Sequence, residues 1–401
     1  MDECLGIYLH IPFCQSKCYY CDFASGAFPE SLVDPYIRAL KREIEGLDQV
    51  LGAIQANFSK LPSRRVDSLY LGGGTPSFIE ADHLLGLIHT LAGEFEFSPD
   101  IEITLEVNPG NLDPQKTLHY RKAGINRVSI GLQAFQDHLL REIGRTHNVE
   151  EALTTFRLLR ERGFGNISLD LIAGLPGQTV KDWQESLNML YLLDPEHISL
   201  YLLELHEDTP FGRIYKKIDS ADNQGSGFHR FPGLPSEDAV ECFYLEAVRG
   251  LTSKGYRHYE ISNFAKPGWE SRHNLKYWTD QAFLGFGCSA FSYLDGKRWG
   301  NEKNPWEYIE RIKQEGQAVD CLFQLTHREL QEESIFLSLR LMRGLDLRQF
   351  QRRFGFDFCE HYSRPLDSLQ QAGLVECGPD RVWLTPNGCL LSNEVFVELL
   401  K

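Results

Sequence analysis

Residues 7–23 read IYLHIPFCQSKCYYCDF. Leu5–Ile11 has the length and apolar content of a buried strand, and Cys14, Cys18 and Cys21 follow it within eight residues, among aromatic neighbours. Two cysteines make a disulfide and four close a zinc site; three leave coordination open. A CxxxCxxC loop is short enough to gather three thiolates around one cubane 4Fe-4S cluster, each holding one iron. The fourth iron is then without a protein ligand. The competing reading is a Cys3His zinc site completed by His10 or a more distant histidine. Structural zinc sites usually set their ligands as two well-separated pairs, so the spacing favours the cluster. An open iron accepts a bidentate ligand, and the amino and carboxylate groups of S-adenosylmethionine suit it.

At 401 residues the chain is long enough for two or more domains. Its formal net charge of −15 argues against nucleic acid as a partner, because phosphate backbones are bound mainly through Lys and Arg. Asp2 and Glu3 follow Met1, and His10 and Pro12 break the first apolar stretch, a pattern unlike a secretory signal. Nowhere does the sequence run to about 18 uninterrupted apolar residues, so no transmembrane segment is expected. The expectation is a cytoplasmic protein in which Cys4, Cys242, Cys288, Cys321, Cys359, Cys377 and Cys389 are reduced thiols.

Short apolar or β-branched runs recur at Leu5–Ile11, Ser68–Leu71, Ile101–Val107, Arg127–Gly131, Ile167–Ile172 and Ile198–Leu203. Helical spacing separates them: Tyr36, Ile37, Leu40, Ile44 and Leu47 share one face, as do Leu84, Leu87, Ile88 and Leu91. Strands alternating with helices predict an α/β fold with a parallel sheet inside. Six such units make an incomplete (β/α)6 TIM-like barrel, open on one side. In barrels the residues just after each strand gather on one face, where chemistry is placed. Here those residues are the three cysteines, then Gly72, Gly73, Gly74 and Thr75, then Glu106, Asn108 and Pro109, then Gln133. Asp170 lies within the fifth strand, ahead of the Gly174–Gly177 turn. A glycine run is either a flexible turn or a place of close backbone approach. Glu106 and Asp170 sit among β-formers, where burying an unpaired carboxylate is costly, so a ligand contact explains them better than packing.

Further segments share one pattern: LGGGTPS (71–77), LEVNPGNL (105–112), RVSIGLQAF (127–135), SLDLIAGLPGQT (168–179), HNLKYW (273–278) and LTPNGCLLSNEVF (384–396). With the cysteine loop, in order and spacing over nearly the whole chain, they resemble the radical S-adenosylmethionine family. The resemblance is to the branch containing oxygen-independent coproporphyrinogen III oxidases and HemW-type haem chaperones. It implies a radical SAM barrel whose cluster accepts an electron and cleaves S-adenosylmethionine to methionine and a 5′-deoxyadenosyl radical. It implies Cys14, Cys18 and Cys21 as cluster ligands, Tyr8 and Tyr20 beside the cofactor, and Gly73, Gly74 and Thr75 along its methionine part. Glu106, Gln133, Arg145 and Asp170 match the remaining cofactor-contact positions, with carboxylates for the ammonium or ribose and the guanidinium for the carboxylate.

Residues 1–205 are thus expected to form the radical SAM partial barrel, and 206–319 a lid and extension carrying HNLKYW. In that extension 206–235 is rich in Gly, Pro and polar residues and reads as a long loop or lid. His273 offers an imidazole to haem iron, and Tyr277 and Trp278 could pack on a macrocycle. A histidine among aromatics is on general grounds more often a packing residue; the resemblance of the whole HNxxYW pattern to HemW-like proteins points to haem. Residues 320–401 read as three helices and a hairpin, a winged-helix-like accessory domain, with acidity against a DNA-binding role.

Two functions fit this barrel. One is radical oxidative decarboxylation of coproporphyrinogen III. The other is a haem chaperone that retains the cluster and S-adenosylmethionine, takes up haem and passes it to an acceptor protein, with an electron donor and transient membrane-protein contact among its partners. The oxidases continue their motif as CxxxCxxCxC and carry a long N-terminal extension, whereas this chain has Cys21-Asp22-Phe23 and Cys14 near its start. These departures, with HNLKYW, favour the chaperone.

Overall fold

Side chains of the six parallel strands divide between two faces, as their alternation predicts. In the computed structural model, which describes residues 4–54, 64–219 and 231–400, these strands are β1 (Leu5–Ile11), β2 (Arg65–Gly73), β3 (Glu96–Val107), β4 (Arg127–Gln133), β5 (Ile167–Ala173) and β6 (His197–Leu202). They pair in sequence order. β7 (Arg257–Glu260) and β8 (Asn263–Ala265) extend the β6 edge. β9 (Phe283–Phe286), β10 (Phe291–Leu294), β11 (Lys297–Asn301) and β12 (Val319–Gln324) extend the β1 edge, with β9 parallel to β1. The resulting 12-stranded order is linear, so β1 and β6 never meet and the (β/α)6 barrel is incomplete. Strands β7 to β12, within 257–324, therefore build onto the barrel's own sheet, and the boundary expected at 320 falls inside β12.

Outward residues such as Leu9, Leu71, Leu105, Ile130, Leu169 and Leu200 are buried in the main core, which also takes in residues of the helices Val33–Glu45, Ala81–Glu94, Val149–Glu161 and Val180–Leu193. Inward residues are mostly polar: Ser68, Thr104, Arg127, Ser129, Ser168, His197 and Ser199 are all buried. Most buried polar groups are paired. Ser168 Oγ accordingly lies 2.8 Å from His197 Nδ1, and Ser129 Oγ donates to the Asp170 carboxylate at 3.0 Å. Below this layer the short helix Arg272–Trp278 meets β1–β3. Glu102 on β3 accepts from the backbone N–H groups of Arg272 and His273, both at 3.2 Å, fixing the start of that helix.

The segment read as one long loop, 206–235, holds a helix at Pro210–Asp219. Phe211 and Tyr215, one turn apart, are buried against Ile172 and Leu175, and Phe211 N–H donates to Tyr19 O at 3.0 Å. This apolar stripe outweighs the Gly and Pro content that suggested a loop. The rest of that expectation, at 220–230, lies outside the described residues.

Beyond β12 come a helix at His327–Arg340, β13 (Leu345–Asp346), helices at Leu347–Phe354, Phe358–His361 and Ser363–Gln371, then β14 (Val375–Cys377) and β15 (Arg381–Leu384). β13, β15 and β14 form a separate three-stranded sheet, the winged-helix-like arrangement expected. It contacts the barrel at HNLKYW, where the Arg340 guanidinium lies 4.4 Å from the Trp278 ring centroid, just beyond it, where Arg353 pairs with Asp280, and at β7, where Met342 N–H donates to Tyr259 O at 3.1 Å. Among the described residues no helix is long and apolar enough to cross a membrane.

Candidate functional site

The β1 strand ends at Ile11 because Pro12 cannot continue the ladder, and the chain turns into the thiol loop. Where the barrel strands end, Cys14, Cys18 and Cys21 line a cavity of about 460 Å³ with Gly73, Gly74, Thr75, Glu106, Gln133, Arg145 and Asp170. Tyr20 lines it too. Every expected contact residue except Tyr8 and His273 is thus brought to one place.

Each thiol has a different neighbour. Thr75 Oγ1 lies 3.6 Å from Cys14 Sγ, Arg145 Nη1 3.5 Å from Cys18 Sγ, and Ser25 Oγ 3.8 Å from Cys21 Sγ. Burial pushes the Cys14 and Cys21 thiols up, so they hold their protons until a metal displaces them. Among the described residues no group of three His, Cys, Asp or Glu side chains is placed around a single metal ion. His10, the candidate fourth zinc ligand, has its ring nitrogens 3.1 Å from Tyr8 Oη and 2.9 Å from Ala24 O. Three spaced thiols that each meet a different iron fit the donor set better than one tetrahedral ion.

Arg145 ties the thiol loop to the ends of β3 and β4. Its Nη2 donates to Asn108 Oδ1 at 2.7 Å and to Gly131 O, while Nε is buried with no hydrogen-bond partner. A guanidinium in the lining of a cavity suits a carboxylate. Asn108 in turn donates to Thr75 Oγ1 at 2.7 Å, linking the β2 and β3 exits. Sequence reasoning put Asn108 on this face without naming it as a contact. Gln133 has φ +72°, a left-handed conformation at a bulge in β4 that costs about 1–3 kcal/mol in a non-glycine residue. Such strain is characteristic of positions held for function.

Glu106 accepts from Tyr70 Oη at 2.8 Å and from Gly73 N–H at 3.1 Å, yet burial still raises its pKa to about 7. Asp170, also raised by burial, is held by Ser129 and Ser168. Burial thus holds both acids above the ordinary carboxyl range in the one cavity where a ligand's amino or hydroxyl groups would meet them.

The glycines serve the fold before any ligand. A Cβ on Gly73, which has φ +112°, would lie 2.6 Å from the His10 ring, and one on Gly74 would lie 2.8 Å from Pro12 and Phe13 backbone atoms. Gly74 N–H donates to Ile11 O and Thr75 N–H to Phe13 O, both at 2.8 Å, so β2 grips the exit of β1. Gly74→Ala is expected to prise that grip apart, costing about 1–3 kcal/mol of stability and lowering reconstituted iron in parallel. Unchanged Tm and iron content would count against it.

Tyr8 faces a neighbouring cleft, also about 460 Å³, with His10, Phe23, Tyr277, Phe283 and Phe291; it shares Asp22, Phe23, Gly73 and Glu106 with the thiol cavity. His273 lines neither. It is 1% exposed, with Nδ1 3.2 Å from Ser68 Oγ and Nε2 2.8 Å from Tyr277 Oη. Burial lowers its pKa to about 3. The i, i+4 spacing that reads as a haem motif sets the tyrosine hydroxyl on the imidazole, so both ring nitrogens have hydrogen-bond partners.

A family model described as the radical SAM superfamily matches residues 8–190, and one described as the HemN C-terminal domain matches residues 325–391. The heme chaperone HemW of Bacillus subtilis (strain 168) is 35% identical over 390 residues, 97% of either chain. That of Escherichia coli (strain K12) is 30% identical over 400 residues, 98% of this chain and 97% of the relative. The solved structure of coproporphyrinogen III oxidase (HemN) from Escherichia coli matches with TM-score 0.82 at 26% identity, covering 99% of this chain and 90% of that one. With this barrel, this thiol cavity and full-length likeness to those chaperones, the chain belongs to the HemW family of the radical SAM superfamily.

Proposed function

We propose that this protein is a haem chaperone: it holds a 4Fe-4S cluster through Cys14, Cys18 and Cys21, binds S-adenosylmethionine against that cluster, takes up haem and delivers it to an acceptor protein in the cytoplasm or at a membrane. The observation that carries this reading is the full-length likeness to heme chaperone HemW. The Cys21-Asp22-Phe23 sequence, where oxidases carry a further cysteine, points the same way. In this family the bound cluster and S-adenosylmethionine supply radical chemistry once an electron donor reduces the cluster.

The chain's own residues receive the ligand. Arg145 would take the carboxylate, Glu106 the N–H of the amino group and Asp170 the ribose hydroxyls. Gln133, Tyr20 and the Gly73-Gly74-Thr75 turn would close around them.

Glu106 makes this assignment testable by pH. Its raised pKa leaves it mostly protonated below about pH 7. Affinity for S-adenosylmethionine is therefore expected to rise about threefold to tenfold between about pH 6 and about pH 8 as the carboxylate forms. In Glu106→Gln that slope should flatten. Equilibrium binding to the reconstituted protein reads both, and a slope unchanged in the variant would remove Glu106 from the amino group. The unliganded fold runs the other way. It holds the Glu106 proton longer than the unfolded chain does, so stability falls as pH climbs from the ordinary carboxyl range towards 7.

The reading as a whole is tested by loading the reconstituted protein with haemin and mixing it with apomyoglobin as a surrogate acceptor. Stoichiometric uptake followed by transfer is expected, and failure to take up haemin would refute the proposal.

A further inference from the structure

β1 and β6 never pair, yet the loop that follows β1 crosses the barrel mouth and rests on residues that follow β4, β5 and β6. Tyr19 lies in the middle of this contact, between Cys18 and Cys21. Its N–H donates to Ile143 O, beyond β4, at 3.1 Å, and its carbonyl accepts from Phe211 N–H, beyond β6, at 3.0 Å. Both backbone groups are thus paired outside the loop, where local turns could have satisfied them. The ring adds a second grip. It lies 5.8 Å from the Phe211 centroid and 5.6 Å, edge to face, from that of Phe231. Such ring pairs attract beyond the area they bury. A third contact ties the same two segments: His206 Nε2 lies 3.5 Å from the Asp22 carboxylate, and both residues line the thiol cavity.

These rings belong to a small apolar cluster separate from the main core. Phe211 and Tyr215 are its buried aromatic members, packed with Leu139, Leu140, Ile143 and Leu175. Elements with few buried contacts open locally while the rest of a fold stays closed. An aromatic residue that only fills a core needs no further account. Here backbone, ring and side-chain contacts all join the loop bearing the thiols to a segment that bears none of them.

Resting on the reading of Cys14, Cys18 and Cys21 as cluster ligands, we propose that residues 203–215 are a strap over the thiol loop, and that Tyr19 is the positioning residue through which the strap governs cluster retention. Seated, the strap holds Cys18 and Cys21 at a fixed spacing; unseated, it lets the loop open. Outer contacts that orient ligating side chains set metal affinity in this way. The coupling is reciprocal. A loaded loop keeps Tyr19 in place and thereby seats the helix at Pro210–Asp219, so the surface beyond β6 differs between loaded and empty protein.

The test is an anaerobic EDTA chase of the reconstituted protein, following loss of the cluster's visible absorbance. Tyr19→Ala is expected to lose it about tenfold faster than wild type, equivalent to about 1.4 kcal/mol. Tyr19→Phe should keep the wild-type rate, because the ring and backbone do the holding. Phe211→Ala, distant in sequence from every thiol of the loop, should match Tyr19→Ala. Leu190→Ala is the control: Leu190 is fully buried in the main core, so the variant loses stability and should leave the rate unchanged. Hydrogen exchange then compares empty and loaded wild type, and amides at 211–215 should exchange about tenfold more slowly once loaded. Wild-type retention in Tyr19→Ala or Phe211→Ala, or an equal acceleration in Leu190→Ala, would overturn the strap. Exchange at 211–215 indifferent to loading would overturn the coupling. A wild type that takes up no iron overturns the three-thiolate reading itself, and the inference with it.

Discussion

Cys18→Ala protein is expected to leave anaerobic reconstitution with iron and sulfide at background, where wild type takes up about four irons per chain. A cubane held by three thiolates has no spare protein ligand, so deleting one leaves two irons uncovered. Cys18 is 9% exposed, and Arg145 stands 3.5 Å from its sulfur. The fold should survive, since losing one small sulfur costs about 1 kcal/mol. Cys288 supplies the control. It is fully buried beside the Tyr36 hydroxyl, 3.5 Å away, and is absent from the cavity lining. Cys288→Ala should cost comparable stability and leave iron untouched. Unchanged iron and sulfide in Cys18→Ala would remove Cys18 from the ligand set.

His273→Ala should show the opposite pattern. The imidazole sits between β2 and the short floor helix, bonded at both nitrogens and packed 5.3 Å from the Tyr70 ring. Its removal leaves Ser68 and Tyr277 hydroxyls without those partners and opens a cavity among aromatic rings. Together these terms are expected to lower stability by about 3–5 kcal/mol, read as a fall in urea midpoint. The neighbouring Lys276–Asp67 ion pair at 2.8 Å, with the Lys276 side chain 4% exposed, should loosen with it. A variant of wild-type stability that had simply lost haem would instead restore His273 as the iron ligand.

Strand alternation alone makes the barrel legible. Leu69 and Leu71 facing out, with Ser68 and Tyr70 facing in, is a pattern that one-residue slips would destroy. The thiol cavity is legible for the same reason: once six strands run parallel, the residues at their C-terminal ends must converge. The edge strands are harder, because β9 to β11 are four or five residues long and two of them carry a glycine. One signal is present. Asp295-Gly296, with φ of +53° and +71°, is a two-residue turn that pairs β10 with β11.

The helix at Pro210–Asp219 is hidden by its own composition, although Phe211, Ile214 and Tyr215 carry helical spacing. HNLKYW misleads for a deeper reason. A motif names residues but not the direction in which they face, and only tertiary contacts with Ser68 and Glu102 turn His273 into the barrel floor. Asn108 is invisible as a contact because its role, tying Arg145 to Thr75, exists only between strands.

Haem carriage and porphyrinogen decarboxylation are separated by one side-by-side measurement. The reconstituted protein is given S-adenosylmethionine, reductant and coproporphyrinogen III in one vessel, and haemin in another, with porphyrin products and haem occupancy read by absorbance and chromatography. The expected result is stoichiometric haem uptake with no protoporphyrinogen above the no-protein control. Sustained protoporphyrinogen formation without haem binding would show that this chain is an oxidase and not a chaperone.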